Sequence, residues 1–212
     1  MNKDSSYKYE KLPYRPPLDR SVARTALRET GVLPDHRDPL TQLLDRRGYS
    51  DAVVEKYDLQ DNSAIATVMT FIDIDNFGDI NEQYGHAVGD RAVVQMAGTI
   101  AAQMRPEDII LRFGGDEFVV VWDLPNELSD EEKEEIIRRK EYKLQVGLGI
   151  VSPNKEGASL GSAIISSPSV EDLAISNGGE NDEGGLLFRE SRSNAYKNKE
   201  ERKHLTVQPQ RQ

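Results

Sequence analysis

Residues 64–74, AIATVMTFIDI, and residues 108–122, DIILRFGGDEFVVVW, are the two stretches that decide the fold. The first is an apolar run rich in β-branched residues, which predicts a buried central strand. The second has strand-like runs on either side of a Gly-Gly pair, a pattern typical of a β-hairpin. If the hairpin pairs beside the first strand, Asp73, Asp116 and Glu117 converge at one end of a sheet.

Helical patterns surround these strands. Residues 76–86 predict a short helix closed by Gly85, and residues 90–104 predict a longer helix with one apolar face that ends before Pro106. A charged helix over 129–141, a strand over 143–151 (KLQVGLGIV), a helix over 186–203 and a candidate strand over 205–207 (LTV) follow. These elements predict an α+β protein, with one mixed sheet of about five strands and helices packed mainly on one side.

The composition narrows the class of protein. The chain has 212 residues with a net charge of −10, which disfavours binding to a nucleic-acid polymer. It has no cysteine, which excludes disulfides and thiolate chemistry. Neither an apolar leader nor a membrane-spanning stretch is evident, so we expect a cytoplasmic protein. We predict a flexible arm over 1–36 with a short helix over 21–30, and one domain over 37–207 with a loop insertion within 152–185.

The acidic residues indicate a metal site. FIDID places Asp73 and Asp75 on the same face of an apolar strand, where charge is costly unless a cation or partner compensates. Oxygen ligands in a chain without cysteine favour Mg²⁺ over zinc. Two such ions about 4 Å apart could activate a ribose 3′-hydroxyl and offset charge on a departing pyrophosphate. Taken alone, however, Asp116 and Glu117 could equally be ordinary turn residues.

Several motifs in order resemble the GGDEF family of diguanylate cyclases: DPLTQLLDRR (38–47), FIDIDNFGDINEQYGHAVGD (71–90) and RFGGDEF (112–118). The resemblance runs from Asp38 to about Val151 and resumes near Leu187. It implies a palm-like fold with a ferredoxin-like core. It also implies an enzyme that condenses two GTP molecules into cyclic di-GMP, using Mg²⁺ or Mn²⁺ and acting as a homodimer.

The resemblance also implies roles for individual residues. Asp73, the carbonyl of Ile74, Asp116 and Glu117 would bind metal, and the catalytic pair would be Asp116 and Glu117, with Asp116 as proton acceptor. The residues expected around GTP are Phe77, Asn81, His86, Asp90, Gly114, Gly115, Lys199 and Lys203.

Some of these roles can be argued from chemistry as well. A carboxylate at Asp90 can accept both the N1 and N2 hydrogens of guanine, which favours GTP over ATP. Asp90 could also simply cap the helix predicted to start there. Without Cβ atoms, Gly114 and Gly115 would let a ligand approach the backbone closely.

Two further features resemble regulatory elements of the family. Arg105 and Asp108 form an RxxD five residues before Gly114, the position of an inhibitory site for the product cyclic di-GMP. An isolated RxxD is otherwise only a charged helix end. Asp38 and Arg112 occupy positions that form a salt bridge in the family.

The chain departs from the family pattern at several places. Gly78 stands where a lysine is usual, Gln42 replaces a glycine, and Ser191–Arg192 replaces an Ala-Asp pair. These departures leave two alternatives open, a degenerate receptor for cyclic di-GMP and a cyclase making another cyclic dinucleotide. A serine hydrolase is a third, because residues 157–161 (GASLG) match G-x-S-x-G, although the context expected around that motif is missing.

Overall fold

The computed structural model describes residues 36–58, 61–175 and 184–206, with side chains up to residue 202. The predicted arm up to residue 35 and the helix over 21–30 lie outside the described residues, as does most of the loop over 177–185. The described helices are α1 (Arg46–Tyr57), α2 (Phe77–Tyr84), α3 (His86–Gln103), α4 (Asp130–Val151) and α5 (Leu186–Thr206). The described strands are β1 (Ile65–Ile74), β2 (Ile109–Arg112), β3 (Glu117–Pro125) and β4 (Ala158–Ser166).

The strands form one sheet in the order β2-β3-β1-β4. All neighbouring strands pair antiparallel, and one isolated parallel bridge joins Leu44 to Leu111. The α+β class and the hairpin beside β1 are confirmed. The expectation of a mixed sheet of about five strands is corrected to four antiparallel strands in the described part of the chain. The central strand β1 is buried along almost its whole length, as its apolar run predicts.

Helices cover both faces of the sheet, whereas the sequence predicted helices mainly on one side. On one face, α3 and α4 pack on the even-numbered residues of β1. On the other, α1 and α5 pack on Met69 and Phe71. Because every residue of β1 is apolar or small up to Ile72, both of its faces can bury surface, and one helical layer would leave one face exposed. The apolar face predicted for α3 is confirmed, because Val93, Met96, Ala97, Ile100 and Ala101 are buried, as is Met104 directly after the helix.

The strand predicted over 143–151 is wrong, because these residues form the last turns of α4. Helix α4 begins at a capping box between Ser129 and Glu132 and continues without a break to Val151. The alternating apolar residues contain Leu144 and Leu148, which are spaced i,i+4 and are both buried. The same residues are therefore compatible with the buried face of a helix as well as with a strand. The candidate strand over 205–207 is also wrong in its described part, since residues 205 and 206 belong to α5.

The segment before α1 is tied to the hairpin by the predicted salt bridge. Arg112 Nη1 donates to both carboxylate oxygens of Asp38, at 3.1 Å each. Thr41 donates to the same carboxylate through its backbone and its hydroxyl. Burial alone would raise the pKa of Asp38, but these hydrogen bonds and the charge of Arg112 outweigh it and lower the pKa.

The first half of the 152–185 segment contains β4, an edge strand of the sheet, and so belongs to the core. None of the helices in the described ranges is both long and apolar enough to cross a membrane.

Candidate active site

The ends of β1 and β3 bring the predicted carboxylates together. Asp73 lies directly opposite Glu117 in the antiparallel pair. One step further, the backbone N–H of Ile74 donates to the carbonyl of Asp116 at 3.1 Å. The hairpin turn therefore sits against the end of the central strand, which meets the condition that the sequence argument set for the carboxylates to converge.

The carboxylates interact through charge. Burial raises the pKa of Asp116, and the nearby charge of Asp73 raises it further. Burial also raises the pKa of Glu117, while a hydrogen bond from Tyr196 opposes that change. Several negative charges crowded into a partly buried site favour the approach of a cation.

Helix α5 supplies cations to this acidic end of the sheet. Lys199 Nζ contacts Asp73 Oδ1 directly. Arg202 pairs with Asp75 at 2.7 Å, and the hydroxyl of Ser159 donates to the same carboxylate at 2.7 Å. Asp75 lies just beyond the last residue of β1, so the expectation that it shares a strand face with Asp73 is corrected. Asp73 and Asp75 instead pair with different cations, Lys199 and Arg202.

The carboxylate of Glu117 is held on both sides. Tyr196 donates its hydroxyl to Oε1 at 3.1 Å. A Cβ atom at Gly114 would lie 2.6 Å from Oε2, whereas a Cβ at Gly115 would meet nothing within 4 Å. The side chain of Glu117 therefore fills the space that a Cβ at Gly114 would need. Of these two glycines, Gly115 is the one that leaves open room for a ligand.

These residues can be tested for their fit to a divalent cation. No group of three or more His, Asp or Glu side chains within the described residues is arranged to hold a metal ion. The donors at the ends of β1 and β3 are nevertheless all oxygens, which Mg²⁺ and Mn²⁺ prefer. Burial and the nearby charge of Asp73 raise the pKa values of Asp116 and Glu117, a condition that a bound cation relieves. The donor set therefore fits such an ion in chemistry and charge, with Lys199 now paired to Asp73.

The residues expected around guanine gather where α2 meets α3. Gly89 allows the side chain of Asn81 to pack closely, because a Cβ there would lie 2.0 Å from Asn81 Oδ1 and 3.3 Å from Phe77 Cζ. Asp90 is the next residue and is exposed. Helix α3 begins at His86, so Asp90 lies inside the helix, and the alternative that it caps the helix is wrong.

Two other predicted positions can be placed only in part. Lys203 lies in α5, one turn beyond Lys199, and its side chain is outside the described residues. Gly78 lies in the first turn of α2 and is exposed, and a Cβ there would meet nothing within 4 Å. A longer side chain at Gly78 would therefore fit without steric conflict.

The RxxD residues lie apart from this site and differ from each other. The side chain of Asp108 is 1% exposed, accepts from the backbone N–H of Arg105 at 2.9 Å and pairs with Lys140 at 3.4 Å. Lys140 in turn stacks on Trp122, 3.9 Å from the ring centroid, and burial lowers its pKa. Arg105 is exposed. The arginine is thus available to a ligand, while the carboxylate holds the backbone of the turn.

The G-x-S-x-G match does not form a nucleophile elbow. Ser159 lies within β4, is fully buried and donates to Asp75. A hydrolase serine must instead stand exposed on a turn between a strand and a helix. The serine hydrolase alternative is therefore wrong.

A protein-family model described as "Diguanylate cyclase, GGDEF domain" matches residues 35–177. The chain belongs to this family. Diguanylate cyclase DgcP of Escherichia coli K12 is 32% identical over 130 residues, which cover 61% of the chain and 38% of DgcP. The bifunctional diguanylate cyclase/cyclic di-GMP phosphodiesterase MucR of Pseudomonas aeruginosa is 30% identical over 190 residues, which cover 84% of the chain and 27% of MucR. The chain thus spans well under half the length of either relative.

Solved structures of the family share the fold. The GGDEF domain of DgcB from Caulobacter crescentus, solved in complex with c-di-GMP, matches with a TM-score of 0.60 at 17% identity. The match covers 80% of the chain and 93% of that domain. The palm-like α+β fold expected from the motifs is confirmed.

Sequence reasoning missed three residues of α5 that contact the acidic end of the sheet. Arg202 pairs with Asp75, and Arg192 and Tyr196 approach Glu117. In the sequence, Arg192 stands out only as a departure from the family pattern. Counting back from Lys199 by helical turns would have placed Tyr196 and Arg192 on the same face of α5.

Proposed function

We propose that the protein is a diguanylate cyclase that condenses two GTP molecules into cyclic di-GMP and releases pyrophosphate. The observation that carries the proposal is the meeting of Asp73, Asp116 and Glu117 at one end of the sheet beside Lys199. Family membership supplies the reaction class. We also expect a cytoplasmic location, where GTP is available.

The chain's own residues would divide the work. Asp73, Glu117, Asp116 and the carbonyl of Ile74 would hold Mg²⁺, or Mn²⁺ in its place. When bound, the ion would supply charge neutralisation for the triphosphate and the leaving pyrophosphate. Asp116, at the tip of the hairpin, would accept the proton of the ribose 3′-hydroxyl.

The remaining residues would bind and orient GTP. Asn81 and the exposed carboxylate of Asp90 would read the guanine edge, with Phe77 and His86 beside them. Gly115 leaves room for the nucleotide to approach the hairpin backbone. Asp73 would hold the divalent ion, and Lys199, with Lys203 one turn later, would bind phosphates.

Ring closure would require two protomers, because this site can activate one 3′-hydroxyl on one bound GTP. We therefore propose a homodimer with the two sites face to face. Product inhibition would act through the exposed Arg105, which can bind phosphate or guanine acceptors with its planar fork. Asp108 would keep the turn in place through the backbone of Arg105, without touching the product.

The central experiment incubates the purified protein with Mg²⁺ and GTP and identifies products by mass spectrometry. We expect cyclic di-GMP from the wild type and none from Asp116→Asn or Asp73→Asn, with both variants folded by circular dichroism. Glu134→Gln removes an exposed carboxylate on α4 and should leave turnover unchanged. Full activity in either aspartate variant would contradict the site assignment.

Two variants test the nucleotide roles. Asp90→Ser should weaken the preference for GTP over ATP, and unchanged selectivity would mean that guanine is read elsewhere. Arg105→Ala should lose tight binding of cyclic di-GMP in calorimetry and run to higher product levels at saturating GTP. A wild type that binds cyclic di-GMP tightly but never converts GTP would favour the receptor alternative. Gly78→Lys, which restores the lysine usual in the family, would then be the first variant to test for turnover.

A further inference from the structure

Arg192 lies in an unusual setting on α5. Its guanidinium carbon stands 5.3 Å from the ring centroid of Tyr196 and 5.8 Å from that of Phe71. It is also 6.0 Å from the ring centroids of both Phe113 and Phe188. Aromatic faces attract a guanidinium, so this group restricts where the side chain can point.

The guanidinium is linked to Glu117 through a tyrosine. Arg192 Nε–H donates to Tyr196 Oη at 3.1 Å, and Tyr196 Oη–H donates to Glu117 Oε1 at 3.1 Å. The direct approach of Arg192 Nη2 to Glu117 Oε1 is longer, at 3.9 Å. The hydroxyl is therefore the main connection between the arginine and the carboxylate.

The direction of these hydrogen bonds follows from the chemistry of arginine. A guanidinium can only donate hydrogen bonds and stays protonated at every accessible pH. The oxygen of Tyr196 must therefore accept from Arg192, which leaves its proton directed at Glu117. A carboxylate at position 192 would do the opposite, because it would draw the tyrosine proton toward itself and repel Glu117.

The second oxygen of Glu117 is also confined, since Oε2 occupies the space that a Cβ at Gly114 would fill. With Oε1 held by Tyr196, the carboxylate has one preferred orientation. Such hydrogen bonds from outside the ligand set orient metal-binding side chains in proteins generally.

We propose that Arg192 is a positioning residue that orients Glu117 for the divalent cation by directing the hydroxyl of Tyr196. The inference rests on the proposed function only in taking Glu117 as a metal ligand. Arg192 itself would act through Tyr196 and would not contact the nucleotide or the metal.

The test measures Mn²⁺ binding by electron paramagnetic resonance of the free ion, in the presence of a non-hydrolysable GTP analogue. Arg192→Ala and Tyr196→Phe should each weaken Mn²⁺ binding by about 10-fold, the usual lower range for such supporting residues. Arg192→Lys keeps a charged donor and should recover part of the affinity. Arg189→Ala removes the same charge from an exposed site on the same helix and should have no effect.

A double substitution separates positioning from charge. Arg192→Ala in the Tyr196→Phe background should leave Mn²⁺ affinity unchanged or raise it, because only a repelling positive charge is then removed. A purely electrostatic role predicts tighter binding in both backgrounds. A purely structural role predicts further loss in both, with a lower melting temperature. Either result would overturn the proposal.

The outcomes also separate this inference from the proposed function. If the wild type makes cyclic di-GMP and Arg192→Ala binds Mn²⁺ as tightly as the wild type, the positioning role alone is wrong. If the wild type binds Mn²⁺ but makes no cyclic di-GMP, the proposed reaction fails while the Mn²⁺ comparison still decides the role of Arg192. A wild type that binds no Mn²⁺ would overturn both.

Discussion

The packing of α5 on the edge strand β4 depends on Gly161, and replacing this glycine gives a sharp test of the site's architecture. A Cβ atom at Gly161 would lie 2.0 Å from the backbone nitrogen of Ala195 and 2.6 Å from the carbonyl oxygen of Ser191. Both obstacles are backbone atoms of α5, so no side-chain rotation can relieve the overlap. Gly161→Ala should therefore push α5 away from the sheet.

The size of the effect can be worked from the contacts that would be lost. Overpacking in a well-packed core costs about 1–3 kcal/mol. Displacing α5 would also stretch the hydrogen bonds from Asn194 to the carbonyl of Ser162 at 2.9 Å and from Asn198 to that of Leu160 at 2.7 Å. Each is worth about 1 kcal/mol. We expect the free energy of unfolding to fall by about 4 kcal/mol, which lowers Tm by roughly 8–16 °C for a domain of this size.

Urea and thermal unfolding followed by circular dichroism would measure the change. Gly98→Ala is the matched control, because a Cβ at that helical glycine meets nothing within 4 Å. It should raise stability by about 0.5–1 kcal/mol. GTP turnover by Gly161→Ala should also be reduced, even at temperatures well below its Tm. The displaced α5 would carry Lys199 away from Asp73. A Gly161→Ala protein within about 0.5 kcal/mol of the wild type would refute the reasoning.

Four other predictions follow from the described contacts. Gly114→Ala should abolish turnover, because the added Cβ would displace the carboxylate of Glu117. Gly115→Ala should leave the fold unchanged and affect only the KM for GTP. Gly78→Lys should lower the KM for GTP by adding a cation in open space, and an unchanged KM would contradict this. Because the pKa of Asp38 is lowered in the folded protein, Asp38→Asn should reduce stability at neutral pH. Urea titrations should show this difference shrinking as pH falls from about 4 through the folded-state pKa. Burial raises the pKa of Glu141, so Glu141→Gln should stabilise the protein at pH above the folded-state pKa, with the gain gone below about pH 4. A constant difference across this range would count against either pH argument.

Local features of the chain could be predicted from the sequence because they depend on contiguous residues. The run over 64–74 contains β1, the Gly-Gly pair lies between β2 and β3, and the apolar face of the helix after Gly85 is buried. The pairing of the hairpin with the central strand stood only as a condition in the sequence argument, and the structure shows it between β1 and β3. Two of the three motifs that resemble the family, over 71–90 and 112–118, overlap these segments.

Local patterns misled where they satisfied two structures at once. Residues 143–151 alternate like a strand, yet Leu144 and Leu148 also lie one helical turn apart. The decision fell to tertiary packing, because α4 continues from a strong N-terminal cap and buries both leucines against the sheet. The start of α3 at His86 was missed for a similar reason, since the apolar face becomes evident only later in the helix.

The partners of the charged groups at the acidic end of the sheet were decided only by the tertiary structure. Asp75 and Arg202 are separated by 127 residues in the chain, and Glu117 and Tyr196 by 79. Apolar side chains reveal the buried face of a helix or strand through their periodicity. Charged and polar side chains give no such signal, so their distant partners cannot be found from the pattern. The residues that convert a set of carboxylates into a defined site therefore become visible only when α5 packs across β4, because close packing at Gly161 sets which face of the helix meets the carboxylates.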